Sequence, residues 1–180
     1  MYNPILTVLM SVYNGEKYLK AAISSILNQN YNEFKFLIID NFSTDNSAKI
    51  IQGFNDPRIE LLMLPKTVTL AKALNKGLNK INTRFVARMD ADDISKENRL
   101  SLQVKFLLDN PEIALLGTNC DYIDSDNKNI GNWNTNSNHN KIINSFSKFN
   151  PFAHSSVIFD RKKINKLGRY PEQFKYAQDL

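Results

Sequence analysis

Five consecutive residues, Met89-Asp90-Ala91-Asp92-Asp93, place three carboxylates within four positions directly after the apolar run Phe85-Val86-Ala87. Carboxylates held so close repel one another unless a cation or a positively charged ligand joins them. Hard oxygen donors select Mg²⁺ or Mn²⁺ over thiolate-preferring metals. Such ions keep waters and substrate phosphates in their remaining positions, so one or two side chains suffice. The pattern fits a metal-diphosphate site. It equally fits an acidic turn that caps the next helix, with Asp92 or Ser95 accepting amide hydrogens ahead of Leu100.

The elements needed to hold such a cluster at one edge are legible upstream. Ile5 to Val12 is apolar and β-branched, and Tyr18, Leu19, Ala22, Ile23, Ile26 and Leu27 then recur at helical spacing. Phe34 to Ile39 forms a second apolar run, followed by a helical Ala48, Ile50, Ile51, Phe54 pattern that stops near Asp56-Pro57. Ile59 to Leu64 reads as a third strand, Leu70 to Ile81 as a third helix and Phe85 to Met89 as a fourth strand. Strands without polar alternation are buried on both faces, which predicts an α/β domain with a mainly parallel sheet flanked by helices. In such sheets ligands collect beyond the carboxyl ends of the strands. Ser11 to Gly15, Asp40 to Asp45 and the acidic cluster fall at those ends.

The segments Ser11-Val12-Tyr13-Asn14, Ile39 to Asp45, Leu70 to Gly77 and Ala87 to Asp93 resemble, in order and spacing, the motifs of family 2 glycosyltransferases with the GT-A fold. These enzymes move a sugar from a nucleotide donor to an acceptor, and the resemblance covers roughly the first hundred residues. It implies a Rossmann-like GT-A domain over residues 1–180, with a nucleotide-sugar half at 1–95 and an acceptor half at 96–180. It also implies that the Val12-Tyr13 loop and Asp40 hold the base and ribose. A carboxylate suits that task because it accepts N–H or O–H bonds strongly; the alternative for Asp40 is an Asx-type cap. Asp90 would face the ribose and the metal's surroundings, Asp92 would bind the Mn²⁺ or Mg²⁺ bridging the phosphates, and Asp93 would cap the following helix.

Departures from the family pattern are local. Asn41 and Phe42 replace the usual second acid and glycine, and Thr69 replaces a common glycine. Lys72, Lys76 and Arg88 are candidates to offset diphosphate charge, with Lys72 the one assigned to nucleotide binding; the alternative for each is a solvated helix or strand-end position.

Beyond residue 96, Arg99 to Leu108 reads as an amphipathic helix and Ile113 to Thr118 as a fifth strand, followed by a strand ending near Tyr122-Ile123. Asn127 to Asn140 is polar, holds the single Trp and reads as a loop. Trp133 there is either a sugar-stacking platform or an aromatic folded onto the surface. Asn150 to Phe159 resembles a segment of polysaccharide-building family members, in which His154 lines the cleft; the alternative is a hydrogen-bonded structural histidine. Tyr176-Ala177-Gln178-Asp179-Leu180 resembles the start of the motif whose aspartate is the base of inverting members. This makes Asp179 the expected catalytic residue.

The chain has 180 residues, 42% of them hydrophobic, which supports one full core but falls short of a complete enzyme of this family, so a C-terminal truncation is expected. One cysteine, Cys120, excludes a disulfide framework. No signal peptide and no apolar run near the roughly 18 residues of a membrane span is present, which predicts a cytoplasmic protein. The net charge of +5 fits weak attraction to nucleotide donors or to anionic lipid at the inner face of a membrane, and no nucleic-acid partner is expected. Arg161-Lys162-Lys163, Lys166 and Arg169 form the densest basic patch, for which the favoured alternative is a solvated helix face. The expected partners are a nucleotide-sugar donor and a saccharide or lipid-linked acceptor. Two alternatives stand beside an inverting transferase. A sugar-phosphate nucleotidyltransferase needs a glycine-rich loop that Ser11 to Gly15 lacks, and a non-catalytic nucleotide-sugar-binding module remains open.

Overall fold

The structure is a computed structural model that describes residues 4–135, 138–146 and 148–173. In chain order it contains β1 (Leu6–Val12), α1 (Glu16–Leu27), β2 (Phe34–Asp40), α2 (Ser47–Gln52), β3 (Ile59–Met63), α3 (Leu70–Lys80), β4 (Phe85–Met89) and α4 (Arg99–Asp109). There follow β5 (Leu115–Leu116), β6 (Cys120–Ile123), β7 (Asn129–Trp133), α5 (His139–Ser145), a 3-10 turn at His154–Ser156, β8 (Ile158–Asp160) and α6 (Arg161–Leu167).

The main sheet has the strand order β3-β2-β1-β4-β8-β5. β1 pairs in parallel with β2 and β4, β2 pairs in parallel with β3, and β8 is antiparallel to both β4 and β5. The apolar strand runs are explained by burial on two faces. Leu6, Val8 and Met10 pack with Leu19, Ile23 and Ile26 of α1 and with Leu100, Val104 and Leu107 of α4. The opposite face packs Leu9, Leu37 and Ile39 against Leu74 and Leu78 of α3. Gly77 makes that second contact possible, since a Cβ there would lie 2.7 Å from the terminal methyls of Leu9 and Ile39. The helix therefore seats its backbone directly on the sheet.

Two sequence expectations require correction. The fifth strand shrinks from Ile113–Thr118 to Leu115–Leu116 and joins the sheet through antiparallel β8. The expected loop from Asn127 to Asn140 contains β7, which pairs with β6 as a separate two-stranded ribbon, and the start of α5. Its polar residues concealed the strand because both faces of this ribbon are largely exposed, so pairing rests on backbone hydrogen bonds and not on an apolar stripe. Among the described residues no helix is long and apolar enough to cross a membrane.

Candidate functional site

Strand register gathers the sequence-predicted residues. Val12 and Asp40 are paired at the ends of β1 and β2, and Met10 pairs with Met89 of β4, so Asp90 emerges beside the same edge. Hydrogen bonds then bind the first two loops together. The Asn41 amide donates to the Val12 carbonyl at 2.8 Å, the Thr44 amide to Asn14 Oδ1 at 2.8 Å, and the Gly15 amide to Ser47 Oγ at 2.9 Å. Asp45 joins the network by accepting from the Glu16 and Ser47 amides at 3.0 and 2.9 Å.

Asp40 is buried, and its Oδ1 accepts from the Ser43 amide at 3.2 Å, which is the Asx-type turn geometry. This turn engages one carboxylate oxygen. Asn41 is consumed elsewhere: its Nδ2 donates to the Val68 carbonyl at 2.8 Å and its Oδ1 accepts from the Val68 amide at 3.0 Å. The residue that replaces the usual second acid thus latches the segment before α3. Thr69, in place of a glycine, caps α3 by accepting from the Lys72 amide at 3.4 Å. Lys72 and Lys76 are exposed on the outer side of α3.

Arg88 departs furthest from its sequence reading. It is neither solvated nor available to a diphosphate, because its side chain is 0% exposed. The guanidinium donates to the Leu9 carbonyl at 3.2 Å and to the Met89 carbonyl, and it ion-pairs with Asp90. Asp90 is one-third exposed, so one oxygen is held by the buried guanidinium while part of the carboxylate remains open to solvent. Asp92 and Asp93 are exposed in the following turn. Surrounding protein, opposed by a Ser155 hydrogen bond and reinforced by the charges of Asp90 and Asp92, pushes the Asp93 carboxyl above the ordinary range.

Among the described residues no cluster of three or more His, Cys, Asp or Glu side chains forms a closed metal cage. Exposed Asp92 and part-exposed Asp90 carry hard oxygen donors, the chemistry that suits an Mg²⁺ or Mn²⁺ ion whose remaining ligands come from phosphate and water.

Beyond the acidic turn lies a cleft of about 790 Å³, with Asp93, Arg99, Cys120, Trp133, His154 and Ser155 among its walls. Its rim is tied by a Lys96–Asp121 ion pair between the acidic turn and β6. Trp133 belongs to β7, half-buried, and faces this cleft. His154 Nε2 lies 3.0 Å from the Tyr170 hydroxyl, with the rings edge to face. Burial and then the Asp93 charge push the Cys120 thiol up, which disfavours its thiolate form.

Arg99 is the residue that sequence reasoning missed. It is buried, donates to the carbonyls of Arg88 and Ser155, and burial lowers its pKa to about 10. It joins the end of β4 to the 3-10 turn across the cleft floor. The available signal was an arginine in register with Gln103 and Leu107 on the buried stripe of α4. Of the basic patch, Arg161 binds the Thr83 and Asn82 carbonyls, Lys163 those of Pro111 and Ile113, and Arg169 the Asn79 side chain. Lys162 and Lys166 are exposed. The expected base, Asp179, lies outside the described residues.

The model of glycosyl transferase family 2 matches residues 7–168. The chain belongs to this family. It is 29% identical to an uncharacterized glycosyltransferase of Haemophilus influenzae over 194 aligned residues, covering 98% of this chain and 60% of that protein. It is 32% identical to the O-antigen biosynthesis glycosyltransferase WbnJ of Escherichia coli, covering 92% of this chain and 65% of the relative. The chain thus spans less than two thirds of the length of each. The fold resembles S. aureus TarS in complex with UDP-GlcNAc, with TM-score 0.77 at 21% identity, over 97% of this chain and 50% of TarS. It also resembles the mannosyltransferase PcManGT of Pyrobaculum calidifontis in complex with GDP-Man and Mn²⁺, with TM-score 0.70 at 18% identity, over 96% of this chain and 49% of the neighbour. The glycosyltransferase fold is the GT-A fold, and the family 2 relatives include polysaccharide-building enzymes.

Proposed function

We propose that the protein is an inverting hexosyltransferase that moves a sugar from a UDP-sugar to a saccharide or lipid-linked acceptor in cell-surface polysaccharide synthesis. The observation that carries this reading is the common edge shared by Val12, Asp40 and Asp90, next to a cleft large enough for sugars. The Val12-Tyr13 loop and Asp40 bind base and ribose, Asp90 faces the ribose, and Lys72 offsets diphosphate charge. Asp92 holds Mn²⁺ or Mg²⁺, which when bound stabilises the departing diphosphate.

Transfer requires a proton to leave the acceptor hydroxyl as its oxygen bonds to the anomeric carbon and the bond to the diphosphate breaks. Asp179 takes that proton, by resemblance to the family motif, and attack opposite the leaving group inverts the anomeric configuration. The donor is assigned as a UDP-sugar on the strength of TarS, captured with UDP-GlcNAc, and of an E. coli relative, 36% identical over 106 residues, named for UDP-Glc and a diphosphoundecaprenol-linked acceptor. A lipid-linked acceptor places the protein in the cytoplasm at the inner membrane face, where exposed Lys162 and Lys166 would meet anionic lipid.

The test is turnover by the full-length protein with UDP-sugars and Mn²⁺. Asp179→Asn should keep donor binding and lower kcat by about 10² to 10⁴. Near-normal transfer by that variant, or a product that retains the donor's configuration, overturns the mechanism.

A further inference from the structure

Phe42 holds a backbone conformation that its own side chain opposes. Its φ is 66°, in the left-handed region, whereas the other described non-glycine residues with positive φ are Asn14 and Asn127, the residue type that tolerates it. The conformation itself has a clear purpose: it reverses the chain so that the Ser43 amide returns to Asp40 Oδ1. Glycine or asparagine would make that turn with less strain. The turn accounts for the φ value but not for a phenyl ring.

Packing does not account for the ring either, because Phe42 is 49% exposed. Its position supplies a reason. The backbone of Asn41 is bonded to Val12, and Asn14 is bonded on the other side to Ser43 and Thr44. Val12 and Asp40 are paired in register, Tyr13 follows Val12 by one residue and Phe42 follows Asp40 by two, and Tyr13 is 53% exposed. Two half-exposed aromatic residues therefore stand in the hydrogen-bonded loops that leave β1 and β2, close in sequence to the buried Asp40. A bulky residue in a strained conformation at the carboxyl edge of the sheet, with half of its apolar surface in water, is suited to a planar heteroaromatic ligand.

We infer that Phe42 is a nucleobase-contacting residue, stacking on the base of the donor across from Tyr13. The inference rests on the proposed donor site and adds a residue that departs from the family's glycine. Phe42 contacts the base alone, so it does not act on the diphosphate.

The test is calorimetric binding of UDP, with GDP, dTDP and inorganic diphosphate as parallel probes, to the full chain and to Phe42→Asn, Phe42→Trp, Tyr13→Ala and Asp40→Ala. Phe42→Asn should keep or raise the melting temperature while weakening the preferred nucleotide roughly 5- to 100-fold, the loss of one base-stacking contact. Inorganic diphosphate affinity should not change, and Phe42→Trp should restore nucleotide binding. Unchanged nucleotide affinity in Phe42→Asn, a matching loss for inorganic diphosphate, or a melting temperature several degrees lower overturns the inference. If Tyr13→Ala and Asp40→Ala weaken the nucleotide and Phe42→Asn does not, this inference alone fails. If none of the three has an effect, or no nucleotide binds, the donor-site reading fails with it.

Discussion

Arg88 forms an ion pair with Asp90 from a position with no solvent exposure, whereas the carboxylate is one-third exposed. The pair is asymmetric: the guanidinium is buried with two carbonyls as its other acceptors, whereas the carboxylate remains open to a ligand. Removing the acid strands a buried cation, which is costly. Asp90→Ala should therefore destabilise the fold by about 3 kcal/mol, read as a shift in the urea midpoint at unchanged slope. A change under about 0.5 kcal/mol would mean that the pair contributes nothing to the fold.

Asp92 makes the opposite case. It is exposed, and its side chain makes no hydrogen bond among the described residues. Asp92→Ala should leave stability within about 0.5 kcal/mol of the parent. It should remove most of the melting-temperature gain that UDP confers in Mn²⁺. Equal stabilisation of the parent by UDP in Mn²⁺ and in chelator would end the metal assignment.

Asp40 combines a turn-forming role with the proposed contact to base or ribose, and substitution by asparagine separates them. Asp40→Asn retains an oxygen for the Ser43 amide and removes the charge. It should keep the melting temperature and weaken UDP by about 1.5 to 3 kcal/mol, as for loss of a charged hydrogen bond. Unchanged affinity by calorimetry would leave Asp40 with the turn alone.

Asp56 offers a pH-dependent test of the fold. Its carboxylate binds Arg58 through Nε and Nη2 at 3.0 and 2.8 Å, while Arg58 Nη2 also donates to the Leu27 carbonyl and the guanidinium stacks on Phe34. The Arg58 hydrogen bond holds the Asp56 carboxyl below its ordinary value of 3.8, against an opposing effect of burial. A depressed carboxyl contributes stability that is present above the unfolded-state value and lost as pH falls through the lower folded-state value. Asp56→Asn should cost about 1 kcal/mol at pH 7, and the difference from the parent should shrink and vanish as the pH falls through the lowered folded-state value. A difference that persists in acid would show that packing, not charge, is responsible.

Much of this protein was determined by the sequence alone. Apolar runs such as Phe34 to Ile39 announced strands buried on two faces, and the helical spacing of Leu74 and Leu78 announced the layer above them, because burial periodicity is a local property of the chain. The order of polar loops after those runs was enough to place Val12, Asp40 and Asp90 at one edge. Tertiary structure alone decided where charges and weak strands went. Nothing local distinguishes Arg88 from a solvated strand end, and its burial depends on the Leu9 carbonyl of a strand 79 positions away. Arg99 is likewise defined by a carbonyl of the distant 3-10 turn. The polar ribbon of β6 and β7 took its form from backbone pairing, which leaves no apolar signature. A buried apolar pattern is written along the chain, whereas the partner that satisfies a buried charge is supplied only when distant segments meet.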